Sequence, residues 1–256
     1  MSKIERNYGW QPDLPDYRDF KYSVPRHISM ALPPSEDLRP NCPPVYDQSS
    51  LGSCTGNSVA GAHHYGQIKQ VGMDKAFAPS RLMIYFNERD MEGDIGQDNG
   101  AQIRDGIKSV VDLGVCPESM WPYDISKFTF RPSDDCYVEA LKHQVTSYMR
   151  VDQSLSQLKG CLAEGYPFCF GFSVYSSFES DVVAANGMMP MPSSRESCLG
   201  GHAVLCVGFR DDIQRFIVRN SWSDSWGDKG YFYMPYSYMT DNDLADDFWT
   251  IRLIEE

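Results

Sequence analysis

The sequence predicts an α+β protein or two lobes, and two patterns carry that prediction. Helical periodicity fills the stretch between residues 54 and 113, whereas short runs rich in Val and aromatic residues dominate after Pro132. The 256 residues suffice for one large domain or two lobes sharing an interface, at about 100–200 residues per domain.

Residues 1–35 read as an extended strap, because Pro12, Pro15, Pro25, Pro33 and Pro34 fix φ and bias their predecessors away from helix. From Cys54 to about Gln70 the segment CTGNSVAGAHHYGQIKQ has no proline and many small residues, which predicts a closely packed helix despite the low propensity of Gly56, Gly61 and Gly66. Further helices are expected over Ser80 to Arg89 and Ile103 to Leu113. In the latter, Ile103, Ile107, Val110 and Val111 share a face and Gly114 ends the run. The second half offers one more helix, Leu155 to Ala163, then strands at Phe168 to Val174, Ala203 to Phe209, Phe216 to Arg219 and Gly230 to Met234. No internal repeat appears, so solenoid and propeller architectures have no support. The chain divides into the strap (1–35), a helical lobe (36–145) and a β-rich lobe (146–256).

Hydrophobic residues at 42% and charged residues at 23% are ordinary globular usage and exclude a disordered or low-complexity chain. The net charge of −12 repels phosphate backbones and anionic lipid, so neither nucleic acid nor membrane is an expected partner. The first residues lack the apolar core of a secretory signal, and the longest apolar runs fall far short of the roughly 20 residues a spanning helix needs. The eight cysteines include no C-x-x-C pair, which removes support for structural zinc and thioredoxin-type chemistry. Most are expected to be buried thiols or to form one or two disulfides.

Cysteine becomes a strong nucleophile when a helix N-terminus or an imidazolium stabilises the thiolate. Cys54 opens the small-residue helix after Gly52 and Ser53, which suits the first condition. Of the five histidines, His27 lies in the strap, His63 and His64 on the Cys54 helix, and His143 near the lobe junction. His202 follows Gly200 and Gly201 and opens the apolar run AVLCVGF. Eighteen residues on, Asn220 offers an amide for an imidazole nitrogen, and Trp222 could shield that bond from water.

Gln48, then Cys54 after five residues, then Gly201-His202, Asn220-Ser221-Trp222, Trp226-Gly227 and Gly230-Tyr231 together resemble the papain family of cysteine peptidases. The similarity runs from about Pro34 to the C-terminus, and the segments GWQPDLPDYRDF, DLRPNCPPVYDQ, AQIRDGIKSVVDLGV and WPYD resemble its bacterial branch. The resemblance implies a helical lobe bearing the nucleophile, an antiparallel β-barrel-like lobe bearing His and Asn, and an active site in the cleft between them. It assigns Cys54 as nucleophile, His202 as general base and acid, Asn220 as its orienter, and Gln48 as side-chain donor of the oxyanion hole. Such donors suit the tetrahedral oxyanion formed when a thiolate attacks a peptide. Asn99, Gly100 and Ala101 take the place of the substrate strand. Gly171, Gly201 and Ala203, with a residue near Asp246 or Asp247, are expected around the specificity pocket, and Trp222 beside it. The implied partner is a protein or peptide substrate acted on by a monomer, with no cofactor and no metal.

The sequence also departs from the family. Thr55 stands where better-known members have tryptophan, and Leu51 where they have a disulfide cysteine. Members usually carry a longer helical propeptide before a segment like Asp37-Leu38-Arg39. Here the strap is too rich in proline for such a helix, but 35 extended residues reach roughly 115 Å at about 3.3 Å each, enough to cross a cleft. It is expected to cover the substrate groove in part, anchored by Asp13, Asp16, Asp19, Tyr17 and Phe20; the alternative is a packing arm that completes a lobe.

Taken singly, Cys54 reads as a buried structural thiol, His202 as a hydrogen-bonded core histidine and Asn220 as a turn residue; only the constellation lifts them. His63 and His64 point about 100° apart on a helix and read as surface or packing residues. Asp241 to Asp247 reads as a solvated turn. Two other functions share the same residues, a transglutaminase-like acyl transferase and a catalytically silent peptide-binding relative.

Overall fold

The computed structural model describes residues 7–255, so the first six residues of the strap and Glu256 lie outside the described residues. The strap contributes β1 (Trp10–Gln11), β2 (Lys21–Tyr22), α1 (Arg26–Ser29) and β3 (Ser35–Asp37). There follow α2 (Cys54–Val71), α3 (Arg81–Glu92), β4 (Ala101–Gln102), α4 (Ile103–Asp112) and α5 (Asp134–Ala140). The second half holds β5 (Val145–Val151), α6 (Leu155–Ala163), β6 (Phe168–Tyr175), α7 (Asp181–Asn186), β7 (Cys198–Arg210), β8 (Arg215–Arg219), β9 (Tyr231–Pro235), α8 (Tyr236–Met239) and β10 (Ala245–Ile254).

The two-lobed α+β architecture forms, but the expected antiparallel β-barrel-like lobe does not. The main sheet is open, in the order β2-β5-β10-β6-β7-β8-β9, and it is mixed because β2 runs parallel to β5. A barrel needs its end strands to pair. Here one end is the two-residue β2, and the far edge of β9 is met by a bridge from Met188 to Tyr233, so the ends never share a register. The strap's β3 pairs antiparallel with β7 at Gly208–Arg210, just past the stretch of β7 that β6 covers.

α2 forms where predicted and is buried along almost its whole length. Its glycines reflect close approach: a Cβ on Gly56 would meet the Arg81 carbonyl at 2.9 Å, and one on Gly66 would meet Ile254 at 2.7 Å. α3 is capped by Ser80, whose hydroxyl accepts from Met83 N, and ends at Gly93 in the left-handed region. β6 buries both faces, with Phe168, Phe170 and Phe172 packed against Phe178, Phe232 and Phe248, while Gly171 faces the cleft.

The cysteines are all free thiols, seven buried and Cys198 exposed, so of the two expectations the buried thiols hold and no disulfide forms. His63 and His64 are buried packing residues; His63 bonds the His143 carbonyl and Gln67, and His64 bonds the Tyr46 hydroxyl. Asp247 is also no solvated turn residue: it is buried within β10, at φ 61°, where a register shift turns it inward toward Arg150. No helix among the described residues is long and apolar enough to cross a membrane.

Candidate active site

Cys54 is the first residue of α2, and the loop before it is held by Asp98, whose two oxygens each accept from Gly52 N at 3.0 Å while one also accepts the Tyr85 hydroxyl at 2.6 Å. This hydrogen-bonded tie joins residues 52 and 98 next to the position where Leu51 replaces a disulfide cysteine. Thr55, the non-aromatic neighbour of Cys54, donates to Glu88 Oε2 at 2.6 Å, and burial holds the Glu88 carboxyl well above the usual carboxylate range. The first turn of α2 is thereby pinned to α3.

The Cys54 sulfur is completely buried, and that burial pushes its pKa up to about 11, against the downward pull of backbone N–H groups of Ala203, Gly9 and Thr55. The helix-start thiolate expected from sequence is thus opposed by desolvation in this closed arrangement. The Ala203 contact also fixes where Cys54 lies, since Ala203 follows His202 on β7. The His202 Nε2 bonds Asn220 Oδ1 at 2.9 Å, and the Trp222 ring stacks on the imidazole at 5.0 Å. Asn220 Oδ1 also accepts from Ser221 N, which fixes the amide's orientation. Gln48 is buried against the Asn220–Trp222 segment: its Oε1 accepts the Ser221 hydroxyl at 2.6 Å and its Nε2 donates to Leu51 O at 3.0 Å.

The strap runs directly over this group. Gly9 O accepts from Ala101 N at 2.8 Å, and β1 pairs parallel with β4. The approach is so close that a Cβ on Gly9 would lie 1.8 Å from the Gly52 carbonyl, and one on Gly100, at φ 81°, would lie 1.9 Å from Gly9 O. Before it, Tyr8 packs edge-on against the His202 ring at 6.0 Å. After it, the Trp10 indole covers Gly171 and Gly201, where a Cβ would meet the ring at 1.9 and 2.7 Å, and its Nε1 donates to Asp247 Oδ2 at 3.0 Å.

The structure brings together Cys54, His202, Asn220, Gln48, Gly100, Ala101, Gly171, Gly201, Ala203 and Trp222. Asn99 takes part through its carbonyl, which accepts from Gln11, while its side chain turns away to Asp94. Among the expected strap anchors, Asp13 and Asp19 are bonded to the body, but Tyr17 is exposed and Asp16 pairs with Arg18, while the largely exposed Phe20 packs its ring edge-on against Tyr148 and its carbonyl accepts from Arg150 N at 2.7 Å. Sequence reasoning missed Tyr8, Gly9, Trp10, Asp98 and Ser221. Ser221 lies inside the Asn220-Ser221-Trp222 motif, Asp98 immediately precedes Asn99, and Gly9 and Trp10 open the segment GWQPDLPDYRDF, although no local pattern marks their place over the site.

A buried thiol at a helix start and an asparagine-held imidazole, on a fold of a helical half facing an open sheet, are the residue set of a cysteine peptidase. Residues 32–247 match the model for the papain family cysteine proteases, and the chain belongs to that family. It is 44% identical to xylellain, a cysteine protease from Xylella fastidiosa, with a TM-score of 0.90 over 99% of this chain and 98% of that one. An uncharacterized peptidase C1-like protein of Acanthamoeba polyphaga mimivirus is 40% identical over 100% of this chain and 89% of its own length. Digestive procathepsin L 3 of Tenebrio molitor shares the fold at 18% identity, with a TM-score of 0.71 over 94% of this chain and 75% of that one. The chain is therefore a papain-like cysteine endopeptidase that acts on peptide bonds.

Proposed function

We propose that Cys54 is the nucleophile, His202 the general base and acid, Asn220 its orienter and Gln48 the side-chain donor to the oxyanion, acting as a monomer on extended protein or peptide segments. With Nε2 committed to Asn220, Nδ1 is the nitrogen that takes the thiol proton and later returns it to the leaving amine. The sulfur then adds to the carbonyl carbon. The oxyanion gains the Cys54 N–H and the second N–H of Gln48, whose first is held by Leu51 O. Collapse expels the amine, and water hydrolyses the thioester. What supports this reading is the His202–Asn220 hydrogen bond on a strand whose next residue, Ala203, turns its backbone N–H to the Cys54 sulfur.

The same reading makes residues 1–35 an inhibitory strap over a helical lobe of 36–145 and a β-rich lobe of 146–256. In its favour, Tyr8, Gly9 and Trp10 occupy the ground over His202, Cys54 and the Gly171–Gly201 pocket. The Gly9 carbonyl is given to Ala101 N, so it is not presented for attack. Product analysis by mass spectrometry tests the activity: cleaved peptide is expected from the parent and none from Cys54→Ala. Cross-linked amide product would instead make the enzyme an acyl transferase.

A further inference from the structure

The strap is held by more than its tip. Three residues after Trp10, Asp13 is buried and its two oxygens are divided between fixed donors, Oδ1 accepting from the Arg104 backbone N at 3.1 Å and Oδ2 from the Trp249 indole at 2.8 Å. Arg150 lies 3.8 Å from Oδ2. The backbone N of Asp13 donates at 2.8 Å to Asp247 Oδ2, the oxygen that also takes the Trp10 indole. Arg104 grips the strap again through Leu14 O and through Asp19 Oδ2 at 2.7 Å, and Arg150 reaches Asp19 at 3.5 Å.

The donors to the strap's carboxylates and to its Leu14 carbonyl belong to α4, β5 and β10, while Asp247 of β10 accepts the strap's own two donors, the Trp10 indole and the Asp13 N–H. Both Asp13 oxygens face N–H groups, so an amide in its place would turn its NH2 against a donor. Removing the strap would also strip Arg104 of the ion pair it makes with Asp19. Such a cradle, with a neighbouring pocket for an indole, has the character of a recognition site rather than of incidental packing.

We propose that α4, β5 and β10 form a peptide receptor beside the cleft, selective for an extended segment carrying a flat, N–H-bearing side chain and, three residues later, a carboxylate. The strap fills it in cis, where tethering supplies an effective concentration on the order of millimolar; an acidic peptide of the same spacing fills it in trans. The proposal rests on the strap being a cover over the active site.

The test uses the full chain carrying Trp10→Ala and Asp13→Asn, in a Cys54→Ala background so that nothing is cleaved, and a synthetic peptide of residues 7–20 as probe. Calorimetry should show saturable binding, at least tenfold weaker for the same peptide with Asp13→Asn and at least tenfold weaker on the chain with an intact strap. Equal binding of both peptides, or no saturable binding to a host that melts like the parent, overturns the proposal. If the double substitution unfolds the chain, Trp10→Ala alone serves as host under the same criteria. An unchanged kcat/KM of the Cys54-bearing double variant would instead defeat the strap's role as cover, and the two peptides would still decide the receptor.

Discussion

Replacing Trp10 by alanine isolates the tip of the strap. Cutting a fully buried Trp to Ala costs about 3–5 kcal/mol, and Trp10 is only half-buried, so roughly 2 kcal/mol of packing over Gly171 and Gly201 is at stake. The indole bond to the Asp247 carboxylate adds about 1.5–3 kcal/mol at most, and water offsets part of it. A combined loss of about 3 kcal/mol shifts the closed-to-open ratio roughly 100-fold. Lifting the tip also rehydrates Cys54. Its thiol, raised from 9.0 to about 11 when covered, favours the closed form while protonated, so this contribution is complete below about 9 and is lost as pH rises through about 11. The assays are kcat/KM on a fluorogenic peptide and the rate of iodoacetamide alkylation against pH. For Trp10→Ala we expect a gain in kcat/KM of tenfold or more and an alkylation profile moved to lower pH. A kcat/KM within twofold of the parent, with an unshifted profile and an unchanged Tm, would refute the reasoning.

Four other substitutions probe the site. Gln48→Ala should lower kcat by roughly 100- to 1,000-fold with little change in KM, as for a donor used only in the transition state; Ser221→Ala, which merely frees the Gln48 amide to turn, should cost less in the same steady-state assay. Asp98→Ala removes the acceptor of Gly52 N–H and the Tyr85 hydroxyl, and we expect a loss of about 1–2 kcal/mol in denaturant melts together with reduced kcat. Because burial pushes the Glu88 carboxyl well above the usual carboxylate range, Glu88→Gln should change stability by less than about 1 kcal/mol, and a larger loss would show that the carboxylate itself is required.

What the sequence by itself determined is local or ordered along the chain. The helix at Cys54, the capped helix after Ser80, the amphipathic run from Ile103 and the aromatic strand at Phe168 were legible because propensity and period act over a few residues. So was the ordered set of Gln48, Cys54, His202 and Asn220. Strands β5 and β10 were not legible: their residues alternate poorly, and β10 carries Asp246 and Asp247, which look like turn residues until Arg150 and the strap supply partners. Whether the sheet closes was equally hidden, since closure depends on how strand ends meet in space and not on any strand's composition. Only the tertiary structure decided that Gly9, a residue without a side chain, crosses Cys54, and that Asp13, rather than Tyr17, anchors the strap. A glycine's use as a crossing point and a carboxylate's ability to stay buried both depend on groups about 90 to 240 residues away, Ala101, Arg104 and Trp249 among them, and no short-range pattern in the chain encodes those contacts.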